Sequence, residues 1–116
     1  MEIEKLTKIF KALSDKNRIR IVKMLEIRPL CVCEIQLILD LAVSTTSKHL
    51  SILRDAELIY DHHEGKWVYY QLNQVSHNIY IKTLLLQIKD WLNDDRIILQ
   101  DVHKVNTLVQ HDLCKL

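Results

Sequence analysis

Two cysteines one residue apart, Cys31 and Cys33, stand in the stretch LCVCEI, followed shortly by the polar stretch STTSKHLSILRDAEL. Thiolates are soft donors that select thiophilic ions, and a close thiol pair is also a candidate for redox chemistry. The second stretch offers Ser44, Thr45, Ser47, Lys48, His49, Ser51 and Arg54, with no acidic residue between positions 41 and 54. Small hydroxyls bond phosphates or base edges, and cations neutralise phosphate, so these residue types suit a nucleic-acid groove. Lys16, Arg18, Arg20 and Lys23 form a second acid-free basic cluster. A third cysteine, Cys114, ends a pattern of metal-donor types, Asp101-x-His103 and His111-x2-Cys114.

Both chemistries need elements to hold them. Ile3, Leu6, Ile9, Phe10 and Leu13 recur at helical spacing and predict a first helix, with Ser14 closing it and capping the next. Ile19, Ile21, Val22, Met24 and Leu25 make helix two broadly apolar until Pro29 forbids its continuation. Helix three is expected from about Cys31 to Leu39 with Ile35, Ile38 and Leu39 inward, then a turn over 40–43. Helix four is expected from about Ser44 to Ala56. Thr46, Leu50 and Leu53 share its inner face, so Ser44, Lys48 and Ser51 point away, Thr45 beside them, with Ser47, His49 and Arg54 on the flanks. This is the layout of a helix-turn-helix over 31–56, whose second helix enters a DNA groove.

A solvated helix face carries the same residue types, but the next stretch of the chain favours DNA. Segments 58–64 and 66–72 are rich in β-formers and bracket Glu64-Gly65, which predicts a β-hairpin. A hairpin directly after a recognition helix is a wing, and His62, His63 and Lys66 near its tip are within reach of the duplex. Beyond Asn73 the pattern is helical again. Ile79, Leu84, Leu85, Ile88, Trp91 and Leu92, then Ile98, Val102, Val105 and Val109, exceed what a small winged domain buries internally. Such stripes are expected to meet a second copy, with the alternative that the last segment folds back on its own subunit.

The 116 residues make one domain, 1–116: a core over 1–74 with the wing at 58–72, and C-terminal dimerisation helices over 75–116. One Gly and one Pro favour a mostly α fold with a small β-hairpin. Net charge is +1, so any case for DNA rests on local charge. No apolar run approaches a membrane span, and MEIEKLTK is no signal peptide, so a cytoplasmic protein without a membrane partner is expected. Three cysteines are no disulfide framework, which fits reduced thiols. No Gly-rich loop, nucleophile elbow or paired carboxylate stands out, so no enzyme is expected.

FKALSDKNRIRIVKML, LCVCEI, STTSKHLSILRDAELI and EGKWVYYQL, in this order, resemble the arsenical-resistance (ArsR/SmtB) family of winged-helix repressors. The resemblance covers roughly residues 6–72. It implies a homodimer, joined through helix one and C-terminal helices, that sits on double-stranded operator DNA and leaves it when an inducer binds. In the arsenite-responsive branch, thiolates at the start of helix three bind As(III) or Sb(III). Cys31 and Cys33 match two of them; the third would lie at position 36, where this chain has Gln36. Cys114 is then a candidate third thiol, and no cofactor is required for folding.

Residues i and i+2 do not share a helix face, so two sulfurs on one ion would require a distorted first turn of helix three. Zinc wants four ligands, and only Glu34 is near in sequence. The Asp101–Cys114 pattern lies later in the chain, with closer spacing, than the motifs of the family's zinc sensors, and is read as a solvated polar face. The alternatives kept open are a thiol redox or persulfide sensor of the same fold, using Cys31 or Cys33 with Cys114, and a Cd-, Pb- or Zn-responsive member. A thiol at a helix N-terminus can have a lowered pKa, which would favour the redox reading.

Overall fold

The computed structural model of the chain describes residues 2–108. Its elements follow as α1 (Glu2–Leu13), α2 (Lys16–Leu25), β1 (Leu30–Cys31), α3 (Val32–Leu39), α4 (Val43–Asp55), β2 (Ile59–Glu64), β3 (Trp67–Leu72), α5 (Ile79–Ile88) and α6 (Arg96–Thr107). The break between α1 and α2 is made one residue later than the sequence places it. Asp15, not Ser14, is the N-cap: its Oδ1 accepts the N–H groups of Asn17 and Arg18 at 2.8 and 3.2 Å. The Ser14 hydroxyl is already engaged, donating back to the carbonyl of Lys11.

After Pro29 the chain forms a two-residue strand that sequence periodicity does not anticipate. β1 pairs antiparallel with β3, Leu30 opposite Tyr70 and Cys31 opposite Tyr69, giving the sheet order β1-β3-β2. The hairpin β2–β3 closes with Glu64 opposite Trp67, and Gly65 takes the positive φ of +61° that the tight turn demands. Between α3 and α4, Asp40 adopts the left-handed conformation at φ 56°, which Asp tolerates better than most residues. α4 then starts without a side-chain cap, and Thr46, Leu50 and Leu53 form its buried face.

The core joins α1 through α5 and the sheet, with Ile9, Ile21, Met24, Leu30, Ile35, Leu50, Leu53, Leu58, Ile59 and Ile81 almost fully enclosed. α6 takes the alternative of folding back on its own subunit. The helix lies on α2 and α3 of its own chain; Ile97 and Leu99 stay exposed while it buries Ile98 and Val105. Asp101, expected on a solvated face, is buried between them, because Arg20 reaches it from α2 with two hydrogen bonds of 2.8 and 2.9 Å. A paired carboxylate can be buried where a lone one cannot. Val109 lies outside the described residues. Trp91 and Leu92 belong to the α5–α6 connection rather than to a helix.

The basic cluster of α2 is likewise spent inside the protein. Lys23, 2% exposed, donates from Nζ to the carbonyl of Ile88 and to Asn93, and pairs with Glu26 at 2.8 Å, so it caps the end of α5. With Arg18 and Arg20 also engaged, Lys16 alone of the four is exposed. Among the described residues no helix is long and apolar enough to cross a membrane.

Candidate DNA-reading and thiol site

The inward stripe of α4 fixes what the helix shows outward. Ser44, Thr45, Ser47, Lys48 and Arg54 are exposed and Ser51 is half-buried, as the helical period requires. His49 is different. It is half-buried against α2, its Nδ1 3.1 Å from the guanidinium of Arg18. Arg18 in turn donates to the carbonyls of Ala12 and Lys11 at the end of α1. His49 therefore helps fix the angle of α4 on α1 and α2, a role that spacing alone does not disclose. Arg54 stands 3.9 Å from Asp61 at the base of the wing.

On the wing, His63 and Lys66 are exposed at the tip, and Lys66 lies over the ring of Trp67. His62 stacks on Tyr69, with ring centroids 5.6 Å apart, and lies 3.7 Å from Glu64. It braces the hairpin more than it extends it.

Cys31 occupies the junction of sheet and helix. It is 3% exposed, ends β1 with extended backbone (φ −85°, ψ 163°), and is the N-cap of α3. Its sulfur takes the seat that Ser or Thr fills in a capping box: the Glu34 backbone N–H donates to Sγ, and the Cys31 N–H donates to Glu34 Oε1 at 3.0 Å. Glu34 is 2% exposed, and its other oxygen lies 3.4 Å from both terminal nitrogens of Arg28. Arg28 also donates to the carbonyl of Val105, at 3.4 Å. Cys31 is thus tied to the wing sheet through β3, to α3 through the cap, and to α6 through Glu34 and Arg28.

Cys33 follows, half-buried in the first turn of α3, and it is disulfide-bonded, against the expectation of reduced thiols, so it offers a thiolate only once reduced. Because Cys31 is outside the helix, the pair straddles a strand–helix junction, and the need for a distorted helix is replaced by this boundary. Burial pushes the Cys31 thiol above its ordinary pKa; the Glu34 carboxylate adds to the rise, while the Glu34 backbone N–H opposes it. This runs against the lowered pKa that the redox reading drew from a helix N-terminus. Gln36 is no ligand in waiting, since its side-chain amide donates to the carbonyl of Leu41 at 2.8 Å and pins the α3–α4 turn.

With Cys33 reduced, two soft sulfurs beside an engaged carboxylate suit a thiophilic ion better than a hard one. Among the described residues, no three of His, Cys, Asp and Glu come together as a metal site. Asp101 is committed to Arg20 and His103 is exposed, while His111 and Cys114 lie outside the described residues.

The family model described as "Bacterial regulatory protein, arsR family" matches residues 15–61. The arsenic resistance transcriptional regulator ArsR1 of Pseudomonas putida is 33% identical over 98 residues, covering 81% of this chain and 77% of that protein. The chain belongs to the arsR family of bacterial regulatory proteins. Other likenesses are shorter. The arsenical resistance operon repressor of Escherichia coli K12 is 42% identical over 66 residues, and the cadmium resistance regulator CadC of Listeria innocua 45% over 67. These matches cover 56% and 57% of this chain, and span only 56% of the length of either relative. The solved winged helix-turn-helix domain of Mb0332 from Mycobacterium bovis superposes with a TM-score of 0.65 over 75% of this chain and 77% of that one. At 21% identity it shows the shared fold alone, a winged helix-turn-helix.

Proposed function

We propose that this protein is a homodimeric transcriptional repressor that holds operator DNA with α4 and the wing, and lets go when As(III) or Sb(III) binds Cys31 and Cys33. The observation that carries the reading is the seat of Cys31, at once the last residue of β1 and the N-cap of α3. An ion drawing Cys31 and Cys33 together competes with the Glu34 N–H for sulfur and pulls on the β1–β3 pairing. α3 leads into α4 through the turn pinned by Gln36, so a shift at the cap reaches both DNA-reading elements. A coupling of about 1–3 kcal/mol, ordinary for such switches, corresponds to a roughly 5- to 150-fold loss of DNA affinity.

The dimer is supported by the apolar surface left over once α6 has folded back. Ile3 and Phe10 on α1 are 72% and 53% exposed, and Ile79 and Leu86 on α5 are 64% and 70% exposed. The Tyr80 hydroxyl donates to Glu2 at 2.7 Å and links the start of α5 to the start of α1. A second copy covering these apolar residues by two-fold symmetry would pair two α4 helices for two successive half-sites.

Cadmium is the second reading, favoured by the likeness to CadC and by thiol softness. The test is fluorescence anisotropy of a labelled duplex from the protein's own promoter, with reduced protein. The expected result is salt-dependent binding that arsenite reverses at constant salt. Release by cadmium but not by arsenite would move the assignment to the second reading. Absence of any salt-dependent binding would remove the repressor function.

A further inference from the structure

A polar contact holds the middle of α4 to the helices behind it. Arg18, half-buried on α2, donates from all three nitrogens of its guanidinium. Nε meets the carbonyl of Ala12 at 2.7 Å, one Nη the carbonyl of Lys11 at 3.3 Å, and the other Nη the Nδ1 of His49 at 3.1 Å. A guanidinium has donors only, so Nδ1 accepts, and His49 is a neutral ring with its proton on Nε2. The ends of α4 are held less firmly. Its start has no side-chain cap, and near its end Arg54 stands 3.9 Å from Asp61 with both side chains partly in solvent.

Protonating His49 would set a second cation and a donor against Arg18, where the acceptor had been. Asp15, the N-cap of α2, is a further charged group whose field reaches His49, and its carboxylate favours the imidazolium. The other elements packed on α4 offer His49 no such partner. On α1, Lys11 presents its carbonyl to Arg18 and its side chain is exposed; on α3, Glu34 is engaged by Cys31 and Arg28; on β2, Asp61 faces Arg54.

We infer that His49 is a positioning residue for DNA binding: its neutral imidazole holds α4 through Arg18, and acid parts the two and loosens the helix. This rests on the reading of α4 as the DNA-reading helix. The sign separates it from a direct contact. A histidine on a phosphate binds tighter when protonated, whereas an acceptor for Arg18 holds the helix only when neutral.

The test is anisotropy of the labelled promoter duplex with full-length reduced protein, at constant ionic strength. The pH runs from about 8 to about 5.5, across the ordinary imidazole pKa of about 6.5. His49→Asn keeps an acceptor oxygen near the Nδ1 position and does not titrate, and His49→Ala has no acceptor. On acidification the unmodified protein should lose about tenfold more affinity than His49→Asn, the worth of one hydrogen bond to a charged donor. His49→Ala should start weaker at high pH and share the shallow profile of the Asn variant. The wing residues His62 and His63 titrate in all three proteins and drop out of the comparison. Parallel profiles for the unmodified protein and His49→Asn would overturn the inference. Relative tightening of the unmodified protein in acid would also overturn it, and would assign His49 to a phosphate. Imidazole nitrogen NMR checks the contact without DNA: the proton should sit on Nε2 at high pH, and a proton on Nδ1 would overturn the inference. Absence of salt-dependent binding at every pH would remove the DNA-reading role of α4 itself, and this inference with it.

Discussion

Cys31 is asked to end a strand, cap a helix and offer a sulfur, and Glu34 is what lets one side chain do all three. Removing Glu34 opens the capping box and leaves Arg28 without its carboxylate. Glu34→Ala should therefore lower stability by about 1–3 kcal/mol in urea unfolding, the usual cost of an orphaned buried partner. Asp15 makes a pH-dependent contribution. Burial pulls its pKa up, but the N–H groups of Arg18 and Asn17 and the Arg18 charge outweigh it and leave the carboxyl below its ordinary value. A depressed carboxylate stabilises above its unfolded pKa, and that stability is lost as pH falls through the folded value. Asp15→Ala should cost about 1 kcal/mol near neutral pH and progressively less in acid, read from urea midpoints across the range. Sequence spacing identified the outward residues of α4 and the thiol pair. It had no means to show Arg18 on His49, or Arg28 on Glu34, because those contacts join separate elements.

Helical period and turn chemistry made most elements legible: Thr46, Leu50 and Leu53 define the inner face of α4, and Gly65 marks the wing turn. β1 was not legible, since two residues carry no period, yet it is the element that ties Cys31 to the wing. For α6 both covers stayed open, because an apolar stripe does not say whether it meets the same chain or another. The decisive group was Arg20, which read as surface charge and is the partner of buried Asp101. At this scale the DNA-reading role of α4 has its own check. Lys48→Ala should weaken duplex binding and reduce the slope of log affinity against log salt by about 0.9 for each phosphate no longer neutralised. An unchanged slope would place Lys48 off the phosphates.

For the whole molecule, Ile3 and Phe10 on α1 and Ile79 and Leu86 on α5 are apolar residues left exposed. Leu86→Glu and Phe10→Glu each put a charge among them without touching the core, since both side chains are largely exposed. Each variant should sediment as a monomer at concentrations where the unmodified protein is a dimer, and should lose operator affinity with it, because half-site binding is coupled through the dimer. Variants that remain dimers would move the interface elsewhere. The switch itself is tested most directly by one comparison: operator affinity with and without arsenite for the unmodified protein, Cys31→Ser and Cys33→Ser, all reduced. Serine keeps the cap on α3 and removes the soft donor. The account predicts equal affinity without arsenite, a roughly 5- to 150-fold loss with arsenite in the unmodified protein, and little or no loss in either variant. Serine variants released by arsenite as readily as the unmodified protein would contradict it.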